Sequence, residues 1–139
     1  MKRIIALQGD KDTGKSLTIG ILFDNMRNNG YVVVQDKKRK SSHDFFVILK
    51  KHGKKIGLST YGDFKRMIIV KVELFIGLDC EIIVCACHRI GKTVEAIKNV
   101  KGCDAEFIPK SVAQKPEERE GLNRKDAGIL FSKIESLLP

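Results

Sequence analysis

Eight residues decide how this chain folds: Gly9-Asp10-Lys11-Asp12-Thr13-Gly14-Lys15-Ser16. The apolar run Ile4-Ile5-Ala6-Leu7 precedes them and predicts a buried strand over residues 2–8. The segment that follows, residues 16–29, is predicted to be a helix that Gly30 ends. The eight residues therefore connect a strand to a helix, which indicates an α/β chain.

The spacing of this connection is G-x-x-x-x-G-K-[ST], a pattern typical of loops that bind phosphate. Gly9 and Gly14 allow backbone angles that residues with a Cβ resist, so consecutive N–H groups can turn toward an anion. The helix start adds unsatisfied N–H groups and the positive end of its dipole. In this pattern Lys15 neutralises charge on the β- and γ-phosphates as a catalytic residue, and the Ser16 hydroxyl binds Mg²⁺. The predicted nucleotide-binding residues here are Gly9, Asp10, Lys11, Asp12, Thr13, Gly14, Lys15, Ser16 and Leu17.

On these eight residues and their strand–loop–helix setting, the chain resembles the P-loop NTPase superfamily. The resemblance is specific at the eight residues and diffuse elsewhere. It implies a nucleoside triphosphate and Mg²⁺ as ligands, with the nucleotide at the carboxyl ends of the strands. The alternative interpretation is an ordinary glycine-containing turn between a strand and a helix.

The rest of the chain alternates strand-like and helix-like segments, without an internal repeat or a linker. We expect a single P-loop nucleotide-binding domain over residues 1–139. Its fold would be three-layer α/β/α, with a mostly parallel sheet that includes one antiparallel hairpin strand. The predicted elements are a buried strand at 31–35, a loop at 36–43, a hairpin at 45–60, a helix at 64–76, a strand at 81–88, a helix at 94–101 capped by Thr93, a short strand at 106–108 and a last helix from Asn123.

The order of elements after the first helix resembles the switch regions of small GTPases. In that family the second hairpin strand ends in a D-x-x-G motif, and the matching stretch here is Ser59-Thr60-Tyr61-Gly62, followed by Asp63. By resemblance, Gly62 contacts the γ-phosphate and Asp63 acts catalytically, through metal-bound water or by orienting the attacking water. Ser59 stands where the family has an acid that supports Mg²⁺. The alternative for Asp63 is the N-cap of the following helix.

The guanine-reading motif of that family, N-K-x-D, is not present at its expected place. The residues after the predicted strand 106–108 are Pro109-Lys110-Ser111-Val112. We therefore expect ATP to be favoured over GTP. Arg89 follows the strand 81–88 on the expected nucleotide side, and three interpretations stay open for it. It acts on the γ-phosphate within the chain, it does so across a homodimer, or it is an ordinary surface residue.

The net charge of +9 comes from the first half of the chain. Residues 1–70 hold 15 Lys and Arg against 6 acids, whereas residues 71–139 hold 11 of each. Two basic segments, residues 37–40 and 50–55, contribute much of the excess. Such clusters attract polyanions, so nucleic acid is a candidate partner. A solvated basic loop and turn with no partner is the equally open alternative.

The four cysteines are Cys80, Cys85, Cys87 and Cys103, and no two of them form a C-x-x-C pair. Cys85 and Cys87 lie two residues apart on a predicted strand and therefore face the same side, which favours buried thiols over a zinc site. No apolar run reaches membrane-spanning length, and the sequence opens on a strand rather than a signal peptide. These features predict a cytoplasmic protein with no membrane partner.

Three functional hypotheses follow from these patterns. The first is an enzyme, a Mg²⁺-dependent nucleoside triphosphatase that hydrolyses ATP and acts as a switch. The second is a nucleotide-dependent module that binds nucleic acid through the basic region 37–55. The third is a phosphotransferase acting on a small acceptor, although the chain has no arginine-rich insertion after the hairpin.

Overall fold

The computed structural model describes residues 2–38, 45–60 and 65–138. This part of the chain alternates strands with helices, and none of its helices combines the length and apolar character needed to cross a bilayer. The strands are β1 (Lys2–Gln8), β2 (Val32–Lys38), β3 (Phe45–Lys51), β4 (Lys54–Ser59), β5 (Cys80–Cys87) and β6 (Cys103–Pro109). The helices are α1 (Lys15–Asn28), α2 (Lys65–Gly77), α3 (Lys92–Lys98) and α4 (Arg119–Leu137), with a 3₁₀ turn at Pro116–Glu118 before α4.

The six strands form one sheet in the order β2-β3-β4-β5-β1-β6. Strands β4, β5, β1 and β6 pair in parallel, and β3 pairs antiparallel with both of its neighbours. The predicted mostly parallel sheet with one antiparallel hairpin strand is confirmed. The carboxyl ends of the four parallel strands meet at one edge of the sheet, and the turn between β3 and β4 lies at the opposite edge.

Alternating residues of the central strands supply two hydrophobic cores, one on each face of the sheet. In β1, Ile5 and Leu7 pack into the core that includes α1 and α4, whereas Ile4 and Ala6 pack into the core that includes α2 and α3. Cys85 and Cys87 belong to the second core, so the prediction that they face the same side is confirmed. Burial raises the pKa of Cys85 above its ordinary value, so this thiol is a protonated, apolar-type core side chain.

The hairpin is present as predicted, and its turn is tighter than the sequence indicated. His52 and Gly53 connect β3 to β4 and both have positive φ, 54° and 78°. A two-residue turn with positive φ at both positions matches the right-handed twist of the paired strands. The helix predicted at 64–76 is also confirmed, because α2 spans Lys65–Gly77.

Several predicted elements differ from the structure in their bounds or environment. The helix predicted at 94–101 is α3 (Lys92–Lys98), and the short strand predicted at 106–108 is β6 (Cys103–Pro109). The strand predicted at 31–35 was expected to be buried, but β2 is an edge strand that extends through Lys38, and Val32 and Val34 are exposed. The β-branched run is therefore explained by strand propensity and not by burial on both faces. The last helix begins at Arg119, four residues before the predicted start at Asn123.

The cap assigned to Thr93 is also wrong. Helix α3 begins at Lys92 after Gly91, and the Thr93 hydroxyl accepts a hydrogen bond from the His88 N–H at 3.0 Å. The Thr93 side chain therefore fixes the end of β5 against the first turn of α3.

A glycine in β4 makes room for an aromatic stack in the second core. Phe75 of α2 and Phe46 of β3 stack with ring centroids 4.2 Å apart and an interplanar angle of 2°. A Cβ added at Gly57 would lie 2.4 Å from Cδ1 of Phe75, with the ring fully buried. A side chain at position 57 would therefore have to displace the buried Phe75 ring.

Gly57→Ala is therefore expected to lower the free energy of unfolding by about 1–3 kcal/mol, the usual cost of overpacking a core. Gly128→Ala is the matched control, because a Cβ there meets nothing within 4 Å and the residue lies inside α4. The control should be neutral or slightly stabilising, since Ala favours a helix. Urea denaturation of the two variants measures the difference, and equal midpoints would contradict the packing argument.

Candidate functional site

The segment Gly9–Ser16, named here the glycine loop, connects the carboxyl end of β1 to the start of α1. The Gly9 N–H donates to the carbonyl of Cys87 on the neighbouring strand β5 at 3.1 Å. The Thr13 hydroxyl donates to the Asp10 carbonyl at 2.8 Å and closes the loop on itself. Asp12 and Gly14 have positive φ, 61° and 94°, so the backbone reverses twice before the helix begins.

Both glycines of the loop lie where a side chain would collide with a neighbouring element. A Cβ at Gly9 would come within 3.0 Å of Cβ of Lys110, which follows β6. A Cβ at Gly14 would come within 2.7 Å of Oδ1 of Asn123 in α4. Close packing therefore favours glycine at both positions, and the positive φ of Gly14 adds a backbone requirement at that position.

The Lys15 side chain folds back over the loop. Its ammonium donates to the carbonyl oxygens of Gly9 at 2.6 Å and Asp10 at 2.9 Å, and the residue is only 7% exposed. Lys15 is also the first residue of α1, whose N-cap, Gly14, offers no side-chain acceptor and whose first turn carries no acid. Buried positive charge and unsatisfied helix N–H groups thus meet at one point, which is an arrangement that attracts anions.

A cleft with a volume of about 310 Å³ opens over this loop. Its lining brings together three cationic side chains, Lys11, Lys15 and Arg119, against the single acid Asp12. The remaining lining residues are Thr13, Gly14, Ser16, Leu17, Thr60 and Ala86. The seven loop and helix residues from Lys11 to Leu17 therefore share one surface, and the carbonyls of Gly9 and Asp10 bind the Lys15 ammonium. Their predicted role in nucleotide binding stays a prediction.

The metal-binding prediction depends on Ser16, which lies in the first turn of α1 and lines the cleft. Within residues 2–38, 45–60 and 65–138, no group of three or more His, Cys, Asp or Glu side chains is arranged to hold a metal ion. A divalent cation at Ser16 would therefore need oxygen ligands from a bound phosphate.

Ser59 is fully buried at the end of β4, and the neighbouring Thr60 is the residue that lines the cleft.

A buried ion pair supports the loop from behind. Lys110 and Asp126 are 3.0 Å apart, with side chains 1% and 2% exposed. Asp126 also accepts hydrogen bonds from the N–H and the hydroxyl of Ser111, each at 2.8 Å. Burial by itself would raise the pKa of Asp126, but the hydrogen bonds from Ser111 and the ammonium of Lys110 outweigh it and hold that pKa below its usual value. The network fixes the end of β6 to α4, directly beside Gly9 and Gly14.

Two residues at the end of β5 also contact the loop. The Arg89 guanidinium lies 3.4 Å from Oδ1 of Asp10, with both side chains exposed, so Arg89 lies on the outer side of the loop. The Cys87 thiol lies beneath the loop, where burial raises its pKa to about 11 although Lys15 acts in the opposite direction. Cys87 is therefore a protonated packing residue at neutral pH and not a nucleophile.

The other predicted site residues are not brought into this cleft. Gly62 and Asp63 lie outside the described residues, so their predicted roles at the γ-phosphate stay predictions. The basic segments are separated, because Lys37 is near the carboxyl end of β2 whereas residues 50–55 surround the β3–β4 turn at the opposite edge of the sheet. The length of β3, about 20 Å, lies between the two.

Several residues that line or pack against the site carried no predicted site role, among them Thr60, Arg119 and Asn123. Thr60 and Arg119 line the cleft, and Asn123 contacts Gly14. Arg119 and Asn123 lie one helical turn apart on α4, and their approach to the loop depends on tertiary packing of α4 against α1. Charged and polar residues four positions apart are common on exposed helices, so the sequence carried no signal that separated these two from the rest of the surface.

Comparison of the chain with protein-family models, curated proteins and solved structures found no match. The chemistry of the site is therefore inferred from its geometry. A buried lysine, a helix start without an acid and two closely packed glycines form a concave, positively charged surface of a size that accepts an anionic group.

Asp126→Asn is expected to lower the free energy of unfolding at pH 7 by about 3–5 kcal/mol, because it leaves Lys110 buried without its counter-charge. The folded-state pKa of Asp126 is depressed, so its stabilisation is fully present above the unfolded-state pKa of about 4 and is lost as the pH falls through the folded-state value.

The gap in stability between wild type and this variant should therefore narrow below about pH 4. Asp104→Asn, at an exposed position on β6, is the matched control and should change little. Chemical denaturation at several pH values gives the comparison, and a gap that stays constant down to the acid limit would contradict the assignment.

Proposed function

We propose that the chain is a P-loop-type nucleotide-binding protein that takes the triphosphate of ATP in the cleft over the glycine loop. The observation that carries the proposal is Lys15, a buried ammonium held 2.6 Å and 2.9 Å from two loop carbonyls at the start of α1. These carbonyls are weak partners for a full positive charge compared with a phosphate oxyanion. An entering phosphate would replace them as the partner of Lys15.

Several features of the cleft support a triphosphate in preference to a single phosphate. Its volume of about 310 Å³ exceeds what one phosphate needs, and its cations are spread from Lys11 through Lys15 to Arg119. The N–H groups at the start of α1 add fixed partial charges along the same surface. In the proposed complex, Lys15 neutralises the β- and γ-phosphates, and Arg119 contributes positive charge from the α4 side.

The residues present fit a Mg²⁺ ion that is held mainly by the nucleotide. Ser16 offers one hydroxyl at the helix start, and Mg²⁺ commonly uses few protein ligands together with phosphate oxygens and water. When bound, the ion would neutralise charge between the β- and γ-phosphates. The contribution of the chain is to place the Ser16 hydroxyl beside the same phosphates that Lys15 contacts.

The proposed fold is the three-layer α/β/α arrangement of P-loop proteins, with α1 and α4 on one face of the sheet and α2 and α3 on the other. In this arrangement the triphosphate lies at the carboxyl ends of β1 and β5. Strand β5 separates β4 from β1, but Thr60, the residue after β4, lines the cleft over the glycine loop. We propose hydrolysis with switching as the activity, with Gly62 and Asp63 in the roles that the sequence predicts for them.

Lys15→Ala should weaken ATP binding at least about tenfold, since it removes the charge-assisted contact to the phosphates. Lys50→Ala is the matched control, because Lys50 is exposed on β3 near the opposite edge of the sheet. Isothermal titration with Mg·ATP measures the dissociation constant for ATP in both variants. Binding of ATP by the Lys15 variant at wild-type affinity would overturn the proposed function.

Ser16→Ala should reduce the enhancement of ATP affinity that Mg²⁺ provides, and should leave metal-free ATP binding close to wild type. A thermal-shift series with ATP, ADP, GTP and GDP, each with and without Mg²⁺, reads out both effects. Ser132→Ala, at an exposed position of α4, is the control. An undiminished Mg²⁺ effect in the Ser16 variant would remove this residue from the metal site.

A further inference from the structure

Asn123 of α4 has an amide that is available to a ligand. The residue is only 6% exposed, and no hydrogen bond is found for its amide within residues 2–38, 45–60 and 65–138. The amide atoms are not among the fully enclosed groups without a partner in this part of the chain, and the residue lines a cleft. An amide has two donor hydrogens and an acceptor oxygen, which a molecule in that cleft can use.

The amide lines a second, smaller cleft that adjoins the cleft over the glycine loop, named here the phosphate cleft after its proposed ligand. This nucleoside cleft, as we name it, has a volume of about 50 Å³ and shares Asp12, Thr13 and Arg119 with the larger one. A molecule that occupies both would therefore extend from the start of α1 toward the loop that follows β6. The remaining lining residues are Lys110, Ser111, Val112, Ala113, Leu122 and Asn123.

The other polar groups of the nucleoside cleft are already engaged within the protein. Lys110 pairs with Asp126, and the N–H and hydroxyl of Ser111 both donate to the same carboxylate. The Thr13 hydroxyl donates to the Asp10 carbonyl. Asn123 is thus the neutral polar side chain in this lining that keeps both donor and acceptor capacity for a ligand. Val112, 67% exposed, supplies an apolar surface at the open side.

We propose that Asn123 recognises the base of the nucleotide and favours adenine. The proposal rests on the proposed function, because it requires a triphosphate in the adjoining cleft. An adenine edge presents an N6 donor beside an N7 acceptor, which an Asn amide can pair in a bidentate manner, whereas the guanine O6 and N7 are both acceptors. The small volume admits the edge of the base, with the ring against Val112.

Arg119 contributes to the same recognition from one helical turn before Asn123. It lines both clefts, so its guanidinium can lie over the ring of a base while its charge is near the phosphates. Because Arg119 is the first residue of α4, the start of this helix contributes to both the phosphate cleft and the nucleoside cleft.

The experiment compares ATP, GTP and inorganic triphosphate, each with Mg²⁺, by isothermal titration. Wild type should bind ATP more tightly than either of the other two. Asn123→Leu, and Asn123→Ala as a smaller variant that avoids a clash with Gly14, should lose about tenfold in ATP affinity while triphosphate affinity stays within about twofold. Asn28→Leu, at an exposed position of α1, is the control and should change none of the three.

Stability provides an independent readout, because the Asn123 amide makes no hydrogen bond within the described residues that a substitution would break. Urea midpoints of the Asn123 variants should equal or exceed that of wild type, which a merely structural hydrogen-bonding role would not allow. Equal losses for ATP, GTP and triphosphate would overturn the proposal by showing that Asn123 only shapes the loop. If wild type binds triphosphate as tightly as ATP, base recognition by Asn123 is overturned while the proposed phosphate site stands. If wild type binds none of the three ligands, both base recognition and the proposed function are overturned.

Discussion

The contact of the glycine loop with the β6–α4 connection is the constraint on which the site depends. Gly9 and Gly14 lie so close to Lys110 and Asn123 that a Cβ at either position would require the neighbouring side chain to move. The loop therefore takes its shape from a surface more than ninety residues away in sequence, and that surface is fixed by the buried Lys110–Asp126 pair. A buried ion pair is not in general a strong source of stability, but its directional requirements select one arrangement of its partners. Here that arrangement holds α4 against the loop.

The strand, loop and helix around Gly9–Ser16 were predictable because their signals are local. Each of three signals spans only a few neighbouring residues: the apolar run of β1, the spacing of the glycines, and Gly30 after the end of α1. The hairpin and α2 were also predictable, from two apolar runs around a short turn and from the need for a crossover before β5. Local signals thus supplied most of the element order and the mostly parallel sheet.

The failures have one physical cause, which is that burial and hydrogen-bond partners are set by tertiary contacts. The run Val32-Val33-Val34 indicated a buried strand, but strand propensity does not reveal whether a strand lies at the edge of a sheet. Thr93 has the side chain of a cap, yet its hydroxyl is taken by the His88 N–H. Asn123 resembled a helix start, and the structure places it as a buried residue of the second helical turn.

Charge was the least reliable guide to a binding surface. The lysines of the hairpin are largely engaged within the fold: Lys51 contacts the Asn29 carbonyl and Glu135, Lys55 contacts the Leu78 carbonyl, and Lys54 lies 3.7 Å from Glu81. They also lie at the edge of the sheet away from the loop. A nucleic acid that contacted both basic segments of residues 37–55 would have to reach opposite ends of the strands. The geometry therefore gives the nucleic-acid-binding hypothesis no support beyond the composition.

The cations near the glycine loop differ from those of the hairpin because they converge on one concave surface. Lys15 is buried there against backbone carbonyls, and Arg119 enters from a helix whose position the Lys110–Asp126 pair fixes. Because α4 carries Arg119, Asn123 and Asp126, a ligand that contacts α4 and the loop together would strengthen the contact that shapes the loop. Ligand binding and the stability of α4 are then linked, and a ligand that reaches both clefts gains more from this linkage than one confined to the phosphate cleft.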